Sequence, residues 1–191
     1  MSPAPRRINA PHPLPTACYR TPVNFQRKRI RLDPFTYRGL GIYFLTICCH
    51  NRHPAFTKIS VGDWLVKWLV RCAAHHAYAV HAYCVMPDHV HILVEGTRET
   101  CRLALFVSQF KQRTAYPYKQ KLDLRLWQAR YYDHVLRRPE DMEAVAWYIW
   151  TNPIRKGLCS APQDYPLSGS LTSDWKKRCA PAKMWSPPWK Q

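Results

Sequence analysis

Acidic residues are scarce in this chain. Twelve Asp and Glu stand against 29 Lys and Arg in 191 residues, a formal charge of +17 with a pI near 9.8. So lopsided a balance argues against cationic partners and for polyanionic ones, nucleic acid first and an anionic membrane surface second. Long apolar runs are missing as well. None approaches the ~20 residues that cross a bilayer, and the N-terminus has no signal-peptide apolar region, so a cytoplasmic protein without membrane insertion is expected. No C-x-x-C pair occurs among the eight cysteines, which removes the common zinc-finger frames. Several cysteines fall inside apolar patterns, where a reduced thiol behaves as a small buried hydrophobe. Internal repeats are also absent.

What is present is enough for one folded domain. The chain is 47% hydrophobic and 13% aromatic. Residues 1–36 form a basic, Pro-rich arm, with Pro3, Pro5, Pro11, Pro13, Pro15 and Pro22 and little apolar periodicity. Residues 169–191 form a second basic segment rich in Trp and Pro, suited to stacking and charge contacts with a nucleic acid. A catalytic or binding domain is expected between them, over 37–168.

Within that span the periodicities are clear. "GIYFLTICC" (41–49) reads as a buried strand. Ser60 and Asp63 suggest a capping box for a helix whose apolar stripe is Val61, Trp64, Leu65, Trp68, Leu69 and Cys72. "VHAYCV" (80–85) reads as a second strand, Met86-Pro87-Asp88 as a turn, and "HVHILVEG" (89–96) as a third strand. Leu103, Phe106, Val107 and Phe110 mark a second helix, and "YYDHVL" (131–136) a fourth strand. Pro139 opens a third helix, with Glu140, Asp141 and Glu143 in its first turn. The helix should end at Asn152, because Pro153 disfavours the helical conformation there.

The order is β-α-β-β-α-β plus one helix. It predicts an α+β fold of the ferredoxin-like, or RRM-like, βαββαβ plan: an antiparallel sheet with helices on one face and the other face open.

Alternation along a strand puts His89, His91, Leu93 and Glu95 on one face and Val90, Ile92 and Val94 on the other. The second set is core. The first sets two imidazoles side by side, close enough to share a metal ion, although such a pair is more often a structural or surface one. On the third helix Met142, Val145 and Ile149 form the buried stripe, while Ala144, Tyr148 and Asn152 follow at i, i+4 and i+8. By themselves Tyr148 and Asn152 are compatible with a half-buried ring and a helix end.

"YFLTICCHNRHPAF", "AYCVMPDHVHILVEG", "LWQARYYDHVLRRPEDMEAVAWYIWTNPIRKGL" and "YPLSG" together resemble the REP-associated tyrosine transposases, which belong to the HUH single-strand (Y1) transposases. The resemblance runs from about Tyr37 to Ser168. A lone H-x-H would be weak. P-[DN]-H-x-H, W-Q-x-x-[YF]-[YFW]-x-H and Y-I-x-x-N-P in this order are specific.

The resemblance implies that His89 and His91 bind Mg²⁺ or Mn²⁺, with Asn152 in the place of a third, polar ligand. It implies that Tyr148 is the nucleophile, carried on the C-terminal helix. Such an enzyme cleaves and rejoins single-stranded DNA at hairpins of palindromic repeats through a 5′-phosphotyrosine. A phenol is a weak nucleophile at neutral pH, and a cation on the scissile phosphate offsets the charge that develops. Imidazole with a hard dication is an unusual pairing, since donor softness alone favours zinc.

Trp127, Gln128, Tyr131, Tyr132 and His134 match a block beside the site; His134 either assists or holds the fourth strand. Lys111, Arg113, Arg130, Arg155 and Lys156 are candidate phosphate contacts, each with a solvated surface charge as its alternative. A monomer is expected, with a dimer exchanging the tyrosine helix as the alternative. Two other readings compete: a non-catalytic single-stranded nucleic-acid-binding protein built on the same fold, and a zinc hydrolase using His89, His91 and His134.

Overall fold

The computed structural model describes residues 37–137, 141–182 and 184–187. The N-terminal arm, Pro139 and Glu140, and the last four residues of the C-terminal segment lie outside the described residues. Five strands form one antiparallel sheet: β1 (Ile42–Cys48), β2 (Tyr78–Met86), β3 (His89–Gly96), β4 (Tyr132–Leu136) and the two-residue β5 (Ser168–Gly169), in the order β4-β1-β3-β2-β5. The helices are α1 (Ile59–His75), α2 (Leu103–Leu122), α3 (Asp141–Trp150) and the short α4 (Asn152–Arg155). The element order is the expected one, and β5 extends the sheet beyond β2. The fold is α+β.

The central pair, β1 and β3, is hydrogen-bonded on both edges. Two cores result, one on each sheet face. On the first, Tyr43, Leu45 and Ile47 of β1 and Val90, Ile92 and Val94 of β3 meet Leu65 and Leu69 of α1 and Phe106 and Phe110 of α2. Trp127 closes its edge, its ring tilted against Phe56 and Phe110 and its indole N–H donating to Thr114 Oγ1 at 2.8 Å. On the second face, Phe44, Ala82, Cys84, Met86 and Leu93 lie under Val145, Tyr148 and Ile149 of α3, with Trp175 added from the C-terminal segment.

That second core corrects the expectation of an open face. The apolar side chains of β1, β2 and β3 alternate onto both faces, so each face needs cover. Residues 145–150 of α3 are all buried, too many for the narrow stripe expected. Two helix ends also differ. The helix α1 begins at Ile59 with Lys58 as its N-cap, and no side-chain cap bond forms. Starting two residues earlier moves Ser60 inside the first turn, where it cannot close the box with Asp63. The helix α3 stops at Trp150 rather than running to Asn152; Thr151 (φ −86°, ψ −1°) makes the break and a new turn starts at Asn152 with Pro153 in its first turn. Proline fits there because a first-turn N–H has no intrahelical partner to lose.

Among the described residues no helix is long and apolar enough to cross a membrane. Cys48, Cys49, Cys72, Cys84 and Cys101 are free and buried, while Cys179 is exposed. Burial pushes the thiols of Cys49 and Cys84 up to about 12. At pH 8 only about one in ten thousand such groups is a thiolate, the reactive form. Iodoacetamide at pH 8 should therefore label Cys179 in the native chain and reach Cys49 and Cys84 only after unfolding, as read by peptide mass spectrometry. Early labelling of either would contradict this packing.

Candidate functional site

The turn Pro87-Asp88 joins β2 to β3 and sets where His89 begins. Two backbone bonds from the segment after β1 hold it: Cys49 N–H donates to Asp88 O at 2.8 Å and Phe56 N–H to Pro87 O at 2.9 Å. From there the register is fixed. Cys48, His89 and Met86 lie in one cross-strand row, and Tyr132, Thr46, His91, Cys84 and Ser168 in the next.

Both histidines are buried, His89 at 9% and His91 at 4% exposure. Their Nε2 atoms face each other at 3.1 Å. Each Nδ1 is occupied from behind: that of His89 by Asp88 Oδ1 at 2.5 Å, that of His91 by Thr46 Oγ1 at 2.9 Å. Arg52 Nη1 donates to the other Asp88 oxygen at 3.3 Å. Burial pushes His89 below its ordinary pKa and outweighs Asp88, which pulls the other way; Arg52 and Lys156 add to the lowering. Burial would raise the Asp88 carboxyl, but the His89 hydrogen bond, with His89 and Arg52 as charges, holds it below its ordinary range. At neutral pH the pair is a neutral imidazole donating Nδ1–H to a carboxylate, which leaves the Nε2 lone pair of His89 directed at His91.

With the Nε2 of His91 also unprotonated, the two nitrogens would supply two adjacent donors to a cation. Nitrogens bound at about 2.1 Å on adjacent corners of an octahedron lie ~3.0 Å apart, close to the separation seen. Nδ1 partners that fix the tautomer are the usual support for metal-binding imidazoles. Asn152 contributes a second sign. It is buried, and its Nδ2 has no hydrogen-bond partner, a costly state for a buried polar atom. Exchanging the ends of the carboxamide would put an oxygen there, the donor a hard cation takes. Among the described residues no three His, Cys, Asp or Glu side chains are grouped to hold a metal, so the zinc set of His89, His91 and His134 is not assembled.

Tyr148 packs edge-on beside the histidine pair, its ring centroid 6.1 Å from that of His91 and 6.0 Å from that of Phe44. Arg155 pins it from the other side. The guanidinium carbon sits 4.3 Å from the Tyr148 ring centroid, Nη2 donates to Tyr148 O at 2.7 Å, and Nη1 donates to Thr151 Oγ1 at 2.6 Å. The expected phosphate contact is thus engaged within the turn that carries the tyrosine. Trp185 completes the enclosure, with its ring 5.0 Å from Tyr148, 5.3 Å from Phe44 and 5.9 Å from His134.

The remaining sequence candidates separate. His134 pairs with Phe44 in the β1–β4 register and shares the sheet face of the histidines. Lys156 is exposed and close enough to act on His89. Lys111 Nζ donates to the carbonyls of Gln128 and Ala129 at 2.8 and 2.9 Å, tying α2 to the segment before β4. Arg130 is exposed in that segment. Arg113 is exposed on α2, in the helical layer on the opposite side of the sheet. Sequence reasoning missed Thr46, Phe44 and Trp185, whose places depend on strand pairing and on a distant segment. It read Asp88 only as a turn residue, although a carboxylate next to a candidate ligand was a visible signal.

A family model described as "Transposase IS200 like" matches residues 40–152, the span that holds both histidines, Tyr148 and Asn152. A Haemophilus influenzae protein provisionally named REP-associated tyrosine transposase is 25% identical over 139 residues, covering 67% of this chain and 78% of its own length. The REP-associated tyrosine transposase of Escherichia coli K12 is 24% identical over 132 residues, covering 67% and 75%. The solved structure of a REP-associated tyrosine transposase bound to a REP hairpin shares the fold, with a TM-score of 0.60 at 21% identity over 69% of this chain and 78% of that one. On the family match and the site that it spans, the chain belongs to the IS200-like transposases.

Proposed function

We propose that the chain is a metal-dependent single-stranded DNA endonuclease and strand transferase, acting on hairpins of palindromic repeats with Tyr148 as nucleophile. The observation that carries this reading is the edge-on packing of Tyr148 against His91, one of two buried imidazoles whose Nε2 atoms converge at 3.1 Å. Family membership and a relative bound to a REP hairpin support the substrate class.

His89, His91 and Asn152 would hold Mg²⁺ or Mn²⁺. A cation there would draw charge from the non-bridging oxygens of the scissile phosphate. The protein's own residues do the placing. Arg155 and Thr151 fix the backbone turn and the ring of Tyr148, so that Oη is presented from a rigid helix end. In the step itself the Oη–P bond forms as the P–O3′ bond breaks. The phenol loses its proton and the departing 3′ oxygen takes one up. The phosphodiester persists as a 5′-phosphotyrosine, so a 3′-hydroxyl of another end can reverse the step without an external energy source. Trp185 lies on Tyr148, so an incoming strand must displace that ring or stack upon it.

The test is covalent capture. Labelled hairpin DNA from beside the chain's own gene should give an SDS-resistant, metal-dependent adduct with the wild-type chain and none with Tyr148→Phe. Cleavage without an adduct, or an adduct that survives the substitution, would sink the tyrosine mechanism; binding without cleavage would leave a nucleic-acid-binding protein.

Asp88 offers a separate check. Asp88→Asn removes the carboxylate that fixes the His89 tautomer, and loss of such a partner costs about 10- to 100-fold in metal affinity. A Mn²⁺ titration by calorimetry should show that weakening with the thermal unfolding curve little changed. Unaltered affinity would place the cation elsewhere.

A further inference from the structure

The helical layer on the far side of the sheet carries its own charge pattern. The 20-residue helix α2 holds Lys111, Arg113, Lys119 and Lys121 and no acidic residue, and α1 holds Lys67 and Arg71 against Asp63 alone. Where the two helices meet, a groove of about 230 Å³ is lined by Trp68, Arg71, Cys72 and His75 of α1 and by Gln109 and Arg113 of α2. No carboxylate lines it. Arg71 is held in place, its guanidinium carbon 5.3 Å from the Trp68 ring centroid, an arrangement that orients its donors before a ligand arrives. Neither arginine has an ion-pair partner among the described residues. Two guanidinium groups facing one groove without a counter-charge repel each other, a cost that a bound anion removes. The groove is smaller than the ~300 Å³ of an ordinary small-molecule pocket, so a compact anionic group fits it better than a whole metabolite.

We propose that this groove is a second nucleic-acid site, which takes a phosphate of a single strand between Arg71 and Arg113 while the neighbouring base stacks on the Arg71 guanidinium that Trp68 backs. The site is in the layer opposite Tyr148, so it holds DNA flanking the cleaved bond rather than the bond itself. This inference rests on the nucleic-acid reading above and adds to it a second surface. Shape and chemistry favour a strand over a lipid surface: the groove is concave, and a flat guanidinium backed by an indole stacks on bases. Single-strand binding falls with salt by a slope of about 0.7 per phosphate contact, so at 0.15 M salt each lost contact raises Kd about fourfold.

The experiment compares two double variants of the full chain that remove equal charge: Arg71→Gln with Arg113→Gln, and Lys119→Gln with Lys121→Gln further along α2. Binding of a labelled hairpin with single-stranded flanks is measured from 0.05 to 0.3 M salt. The arginine pair should raise Kd between about fourfold and fourteenfold and flatten the salt slope by about 0.7 to 1.4. The lysine pair should change both less. A bromodeoxyuridine-substituted flank should crosslink to the peptide WLVR, residues 68–71. Equal effects of the two pairs, or none, would overturn the groove site while leaving the adduct result standing. Loss of binding to phosphatidylserine vesicles but not to DNA in the arginine pair would assign the groove to a membrane surface and overturn it likewise. A wild-type chain that bound no strand at all would overturn the nucleic-acid reading with it.

Discussion

A slip of one residue in the pairing of β3 would send Val90, Ile92 and Val94 towards Tyr148 and drive His89 and His91 into the core beneath α1 and α2. Six apolar side chains of β1 and β3 buried against those helices oppose it. At roughly 1.5–3 kcal/mol for each fully buried side chain, turning the three of β3 out of the core costs an amount comparable with the whole stability of an ordinary domain. The hydrophobic face thus sets the polar one. The tight Pro87-Asp88 turn, bonded through both its carbonyls, adds a local stop at the end where His89 begins. Thr46 then faces His91 because the same register pairs them across β1 and β3.

Burying two imidazoles would be expensive if their nitrogens were left bare. Each Nδ1 has a partner, which removes a cost of about 1–3 kcal/mol per group. What remains is the Nε2 pair and the unpartnered Nδ2 of Asn152. Folding alone gains little from leaving those atoms in this state, whereas a ligand that took both nitrogens and a carboxamide oxygen would relieve it. The break between α3 and α4 belongs to the same economy of geometry. An unbroken helix would continue the 3.6-residue rotation through Asn152; the Thr151 turn resets it, and Arg155 comes back over the Tyr148 ring.

Much of this was legible in the residues. Period-two alternation on 89–96 assigned both faces of β3 correctly, and the element order followed from strand and helix periodicity with few misplaced ends. Legibility stopped where contacts depend on pairing partners. Thr46 is one of seven residues in an apolar strand, and nothing local marks it as the one behind His91. Arg155 carries the charge of a phosphate contact, yet its place over Tyr148 follows from a helix break that sequence periodicity smooths over. Trp185 reaches the site from 37 residues beyond Tyr148, across a segment without periodic pattern. The capping box failed for a smaller reason: a two-residue shift of a helix start costs little and moves Ser60 out of position.

The two faces of the sheet meet different physical demands. Phosphate attraction is long-ranged and tolerant of position, so it can be carried by exposed Lys and Arg on a helical layer whose detailed geometry matters little. In-line displacement at phosphorus tolerates very little misplacement; errors of the order of 1 Å cost about a hundredfold in rate. That demand is met by side chains on paired strands and a pinned helix end, each with its rotamer fixed by packing or hydrogen bonds. The sequence places a run of unopposed exposed cations along α2 on the first face and its buried, partnered polar groups on the second. Under the proposed function, this split lets the affinity for a strand change with salt while the geometry around Tyr148 stays fixed.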